Sequence, residues 1–307
     1  MVVRTLIVIA ALLAGACGKK AETGGGKPKI AVSIFPLYDL TRRIAGDRME
    51  VLLILPPGKS EHNYDPTPKE IAKLEGTKLA IAVGLDMDTW VEQIVKAGAG
   101  DAKIFHIGDK VSTMPIDTEP VGEAEAHKGE APDADDKPGA PDPHVWMDPV
   151  RMVGAADVIA AELTALDPAG KDTYAKNAET LKKALTALDS AIVVRTGAFS
   201  KHMIVTFHGS MSYFAKRYKI TIAAVLEPLA GKEPTAAYLA QVLEAIKRTN
   251  TPALFSEPQL DRGPAETVAR EAKIDLGELD PVGGVAGRDS FEALLTWDTD
   301  QLEKVLK

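Results

Sequence analysis

The stretch "PAGKDTYAKNAETLKKALTALDSAIVVRT", Pro168–Thr196, decides how the rest of the chain is read. Tyr174, Ala178, Leu181, Leu185, Leu188 and Ile192 recur at spacings of 4, 3, 4, 3 and 4. That pattern lays one apolar stripe along one helix face. At about 1.5 Å per residue the helix spans ~45 Å. A plain surface helix would carry the same stripe. Its length, and its place between two alternating strand–helix sets, predict a strut joining two lobes.

Ahead of it, the short β-branched runs "KIAVSIF", "EVLLIL", "LAIAV" and "KIFHI" alternate with the helical stretches "LYDLTRRIAG", "TPKEIAKLEG" and "DTWVEQIVKAG". Thr67 before Pro68 is a ready helix cap. The helix "PVRMVGAADVIAAELTALD" leads into the strut. Behind the strut come the strands "HMIVTF", "ITIAAVL", "ALFS" and "IDLGEL", with helices beginning near Met211, Thr235, Gly263 and Asp289. This alternation is the α/β pattern of mostly parallel sheets covered on both faces. It divides the chain into an N-terminal lobe at 30–167, a linking helix at 168–197 and a C-terminal lobe at 198–307.

The chain has 307 residues, a net charge of −8 and 45% apolar residues, so it is globular and long enough for two cores. No basic stripe appears, which excludes nucleic acid as a partner by charge. Cys17 is the only cysteine, which excludes an intramolecular disulfide and a thiolate metal cage. Arg4 and the apolar run Leu6–Ala16 form a targeting segment too short to span a bilayer. In "LLAGACGKK" the small residues before Cys17 have the look of a lipobox. Residues 1–17 then read as a lipoprotein signal peptide, with Cys17 lipidated and 18–29 a flexible tether. The alternative is an ordinary signal peptide that leaves a free thiol. Either way the expected location is extracytoplasmic, anchored to the membrane through Cys17 or in the periplasm.

Residues 117–143 break the α/β pattern. "DTEPVGEAEAHKGEAPDADDKPGAPDP" holds nine acids, two lysines, five prolines and no aromatic residue. Such a segment cannot bury a core and is expected to be a mobile loop. Its balance of −7 accounts for most of the chain's −8.

In open α/β sheets, ligands lie beyond the carboxyl ends of the strands. His62, in the stiff loop "PPGKSEHNYDPTP", follows the strand "EVLLIL". His208 and Asp280 directly follow "MIVTF" and "IDLGEL", and His144 stands where the acidic run re-enters the fold. Three imidazoles and a carboxylate are a coherent zinc set, with bonds of ~2.0–2.2 Å. The gaps of 82, 64 and 72 residues obey no local spacing rule, so solvated and ligating readings both stand at this point. Glu61 reads first as a surface carboxylate, with ligation or support of His62 as alternatives. Glu257 reads as support beside a metal, or as half of a buried ion pair with an arginine. His106 is expected to pack at a strand end and His202 to be solvated, while His127 lies in the acidic loop. Trp146 and Tyr213 are expected in the core or the cleft wall.

The motifs "SEHNYDPTPKEIAKLEGTKLAIAVGLDMDTW", "DPHVWMDP", "VTFHGSMSYFAKRY", "SEPQLD" and "LDPVGG" closely resemble those of the zinc/manganese substrate-binding proteins of ABC importers. The resemblance covers nearly all of Lys29 to Lys307, with the motifs in family order. It implies two (β/α) lobes bridged by a long rigid helix, with one metal in the cleft between them. It carries the ligand role to His62, His144, His208 and Asp280. It further implies a monomer that delivers its ion to an ABC permease. Zinc-importing relatives often have a histidine-rich loop where this chain has one histidine and nine acids, which puts an auxiliary metal site there in doubt. Manganese members tend to have glutamate at the position of His208. That, with the nitrogen-rich set, favours Zn2+ over Mn2+ or Fe2+. Proline stiffness around His62 lowers the ordering cost of ligation.

Two other classes compete. A zinc hydrolase keeps an open coordination position and a general base, but the chain has no HExxH, G-x-S-x-G or Walker motif. A metal-binding surface adhesin is compatible with the anchor, but no sequence feature specifies a receptor-binding surface. The chain is therefore read as a non-enzymatic metal receptor.

Overall fold

A computed structural model describes residues 26–116, 139–228 and 233–307. Cys17, His127 and the part of the acidic run at 117–138 lie outside the described residues. The first lobe holds β1 (Lys29–Val32), β2 (Glu50–Leu53), β3 (Thr77–Ala82) and β4 (Lys103–His106), all parallel, in the order β2-β1-β3-β4. The second holds β5 (Met203–Thr206), β6 (Thr221–Val225), β7 (Ala253–Ser256) and β8 (Asp275–Glu278), also parallel, in the order β6-β5-β7-β8. The two lobes therefore repeat one topology. In each, the chain steps to one side of its first strand and then to the other, which opens a crevice at the strands' carboxyl ends.

Around the first sheet lie α1 (Phe35–Ala45), α2 (Pro68–Ala72), α3 (Trp90–Ala99) and α4 (Pro149–Leu166). Thr67 caps α2 as expected: its side chain accepts from the Glu70 N–H, and Glu70 reaches back to Thr67 N at 2.8 Å. The linking helix α5 is Lys171–Thr196, preceded by a single tight turn at Pro168–Gly170. Its 26 residues span ~39 Å. The second lobe carries α6 (Ser212–Arg217), α7 (Ala236–Thr249), α8 (Gly263–Ala272) and α9 (Phe291–Leu306). Thr235 and Ser290 cap α7 and α9 by accepting from Tyr238 N and Ala293 N. Among the described residues no helix is long and apolar enough to cross a membrane.

Strands buried on both faces need near-continuous apolar runs, and Ile30–Val32 and Leu79–Ala82 supply them in the first lobe. The whole stripe of α5, from Tyr174 to Ile192, is buried. It belongs to one apolar core that continues from Ile30 and Trp146 in the first lobe to Phe214 and Phe291 in the second. A smaller cluster around Phe207, Val242 and Leu254 fills the far side of the second sheet.

Ion pairs hold the strut at its start and along its length. Arg48 Nε lies 2.7 Å and Tyr174 Oη 2.6 Å from the Asp167 carboxylate at its start. Arg217 makes a bidentate pair with Asp189 at 2.6 and 2.8 Å further along. The lobes also meet directly. The buried Asp39 of α1 accepts from the Phe291 N–H of α9 at 3.0 Å, and Arg43 pairs with Glu292 at 2.7 and 2.9 Å.

Composition places 139–143 with the acidic loop, but the structure folds these residues into the first lobe. Ile116 N donates to Ala140 O at 2.8 Å and Asp142 N to Met114 O at 2.7 Å, around an antiparallel bridge of Pro115 with Pro141. Residues 114–116 and 139–142 thus form a neck from which 117–138 departs. Backbone pairing and the burial of Asp142 and Pro143 outweigh the acidic, proline-rich local composition.

Candidate metal centre

His62 stands in the loop between β2 and α2, and the Trp90 indole donates to the neighbouring Glu61 carbonyl at 2.8 Å. His144 opens a tight turn, Val145–Met147, that leads to α4. His208 follows β5 by two residues and precedes the turn Gly209–Met211. The fold brings these three imidazoles together. One ring nitrogen from each lies within 4.8 Å of the other two, and His62 Nε2 is 3.2 Å from His144 Nε2. Two nitrogens bound to one tetrahedral ion at ~2.0–2.1 Å would lie ~3.3 Å apart. The spacing therefore suits a shared ion.

The tautomers suit it as well. His144 Nδ1 lies 2.8 Å from Asp142 Oδ1, and a carboxylate there accepts the Nδ1 proton. His208 Nδ1 donates to the Glu227 carbonyl at 3.1 Å. Both contacts engage Nδ1 and leave Nε2 as the nitrogen a metal would take, and His208 Nε2 is buried with no hydrogen-bond partner. Burial first, and then the neighbouring His62 and His144, push the His208 imidazole well below its ordinary pKa. It is held neutral, as a metal ligand must be.

Carboxylates surround the triad. Glu61 is 2% exposed, so the surface reading is corrected. Its main-chain carbonyl is bound by Trp90, and its Oε1 lies 4.0 Å from His62 Nε2. Glu257 is buried and accepts from the Ser210 hydroxyl at 2.6 Å. Burial, then the charge of Glu61, push its pKa up to about 8, so it carries a proton at neutral pH. Ser210 takes the place of the arginine weighed for it from the sequence.

Asp280 is buried beyond β8, but the structure does not bring its carboxylate into the histidine group. Oδ1 accepts from Gln259 Nε2 at 2.6 Å, Val282 N at 3.0 Å and Gly283 N at 2.9 Å. Oδ2 pairs with Arg288 at 3.0 Å. Gly283 and Gly284 adopt positive φ of 70° and 81°, a turn that L side chains resist and that closes the loop around Asp280.

The remaining residues fall where the pattern puts them. His106 ends β4 half-buried, His202 is exposed, and Trp146 and Tyr213 are buried. Sequence reasoning missed Asp142, grouping it with the acidic run. The available signal was its position two residues before His144, within reach of Nδ1.

The model of the family described as zinc-uptake complex component A, periplasmic, matches residues 30–305. The metal ABC transporter substrate-binding lipoprotein FimA of Streptococcus parasanguinis is 29% identical over 316 residues, covering 98% of this chain and 97% of its own. The manganese ABC transporter substrate-binding lipoprotein PsaA of Streptococcus pneumoniae is 27% identical over 307 residues, covering 96% and 94%. The crystal structure of ZnuA shares the fold with a TM-score of 0.77 at 24% identity, covering 92% of this chain and all of that one. With two repeated parallel-sheet lobes, a linking helix and a family match from Ile30 to Val305, the chain belongs to the periplasmic zinc-uptake component A family.

Proposed function

We propose that this protein is the extracytoplasmic receptor of a metal ABC importer, binding one Zn2+ between its lobes and passing it to the permease. The observation that carries this reading is the group of three imidazole nitrogens within 4.8 Å, contributed by loops and turns of both lobes. The family match and the lipoprotein relatives support it. In this reading Cys17 anchors the chain to the membrane, and the protein acts as a monomer without catalysing a reaction.

Zn2+ is the cargo, so its site must bind tightly yet release. His62, His144 and His208 supply neutral nitrogen donors, and Asp280 supplies the anionic fourth donor. Asp280 would exchange Arg288 for the ion. Asp142 and the Glu227 carbonyl hold two of the rings in the tautomer that leaves Nε2 for the metal. Burial of the triad replaces the ion's water with fixed donors. The closeness of a relative named for manganese keeps Mn2+ as the second reading. The nitrogen-rich set favours zinc.

Metal-stripped protein offered equal free zinc and manganese, followed by elemental analysis, tests both readings. One zinc per chain is expected. Manganese retained against zinc would overturn the choice of metal, and no stoichiometric uptake of either would overturn the receptor reading.

A further inference from the structure

Three buried aromatic side chains end in a hydrogen bond to a main-chain carbonyl one or two residues from a proposed ligand. Trp90 Nε1 donates to Glu61 O at 2.8 Å, next to His62. Tyr213 Oη donates to Asp142 O at 2.7 Å, two residues before His144. Trp146 Nε1 donates to Pro281 O at 2.7 Å, next to Asp280. The last two bonds cross between lobes. Tyr213 follows His208 by five residues on the second lobe's α6 and reaches the His144 segment of the first. Trp146 follows His144 by two residues and reaches the Asp280 loop of the second lobe.

Tyr213 is the most constrained of the three. Its oxygen also accepts from Met114 N at 2.9 Å, so it bonds to both sides of the neck below residues 117–138. The Arg151 guanidinium stacks on its ring at 4.6 Å. Its hydroxyl is therefore a fixed strut between the His208 segment and Asp142, whose carboxylate orients His144.

We propose that Tyr213, Trp146 and Trp90 are positioning residues that fix the ligand loops by pinning main-chain carbonyls beside His144, Asp280 and His62. The inference rests on the receptor reading above. Its physical basis is tolerance: a site must hold its donors within about 0.5 Å of productive geometry, and each loop lacks regular backbone pairing at its ligand. A tryptophan or tyrosine has few rotors to fix, and its buried body cannot swing away. The polar tip then locks the loop at low entropic cost. Bridging between lobes gives Tyr213 and Trp146 a second effect, since they hold the width of the cleft.

Tyr213→Phe removes one oxygen and keeps the ring. The control is Tyr218→Phe: Tyr218 is similarly buried, but its hydroxyl bonds to Asp189 on α5, away from the ligand loops. The expected result for Tyr213→Phe is a loss of zinc affinity of about tenfold or more. The visible spectrum of its Co2+ form should change in shape and intensity, as the ligand geometry does. Tyr218→Phe should lose thermal stability but keep wild-type zinc affinity and the wild-type Co2+ spectrum. Trp90→Phe should weaken zinc binding and alter the Co2+ spectrum likewise through Glu61 and His62, and it serves as the test if Tyr213→Phe does not fold. Wild-type affinity and spectrum in Tyr213→Phe, or in Trp90→Phe if it alone folds, would overturn the proposal. So would equal zinc losses in Tyr213→Phe and Tyr218→Phe. Failure of the wild-type protein to bind zinc would instead strike the receptor reading itself.

Discussion

The imidazole Nδ1 of His144 lies 2.8 Å from the carboxylate Oδ1 of Asp142, two residues earlier in the chain. Both groups are buried. Asp142 also accepts the His144 main-chain N–H at 2.9 Å, so one carboxylate oxygen sets both the backbone and the ring of this residue. Asp142→Ala is expected to weaken zinc binding by about 10- to 100-fold, as removal of a ligand's hydrogen-bond partner usually does. Titration against a competing chelator reads this directly. Unchanged affinity would show that the pair does not set the ring.

Acid should destabilise the metal-free protein through His208. Its folded pKa lies well below 6.5, whereas the unfolded chain titrates near 6.5. Below about pH 6.5 the unfolded state therefore binds the proton that the folded state refuses, and stability falls as pH falls. Above that value this contribution is fully present. Denaturant midpoints of the metal-free protein from pH 7.5 to 5 should decline, and His208→Gln should flatten the decline. Zinc affinity should weaken over the same acid range, because every ligating imidazole must be neutral. A profile unchanged by the substitution would count against a buried neutral His208.

Asp280→Asn keeps the side chain's shape and removes its charge. Zinc affinity should drop by about tenfold or more, since the site then loses its anionic donor. His106→Ala, at the end of β4 and outside the triad, should leave affinity unchanged. Wild-type affinity in Asp280→Asn would mean that the carboxylate stays with Arg288 and the triad binds without it.

Replacing residues 117–138 with a short Gly-Ser link should leave zinc affinity nearly unchanged. The neck is closed by Gly139 N to Ile116 O at 3.2 Å and Ile116 N to Ala140 O at 2.8 Å, and the His144 segment hangs from it. Retaining Gly139 matters, because its φ of 82° suits glycine. A tenfold loss in the replaced protein would assign the acidic segment a part in the cleft site.

Much of this was legible in local patterns. The heptad-like spacing from Tyr174 to Ile192 announced the linking helix, because apolar periodicity is set by helix geometry alone. The strand–helix alternation announced both sheets, and Thr67 announced the start of α2. Strand ends pointed to His62 and His208 because parallel sheets place ligands there, the re-entry of the acidic run pointed to His144, and the three do converge. Local composition misled at two places. Glu61 has the chemistry of a surface residue, yet its backbone is bound by Trp90, a side chain 29 residues away. Asp142 sits in an acidic run, yet pairing with Met114 draws it into the fold.

The order of residues along the chain determined the elements, the repeated lobe pattern and which residues are chemically able to bind a metal. Those properties arise within a few residues, or at the end of a strand. Only the tertiary structure decided which side chains share a point in space: that His144 is oriented by Asp142, that Tyr213 and Trp146 reach across the lobes, and that Asp280 is held by Arg288. Contacts between residues 71 and 135 positions apart, such as those of Tyr213 and Trp146, depend on how two sheets and a strut pack. No local spacing rule encodes that packing.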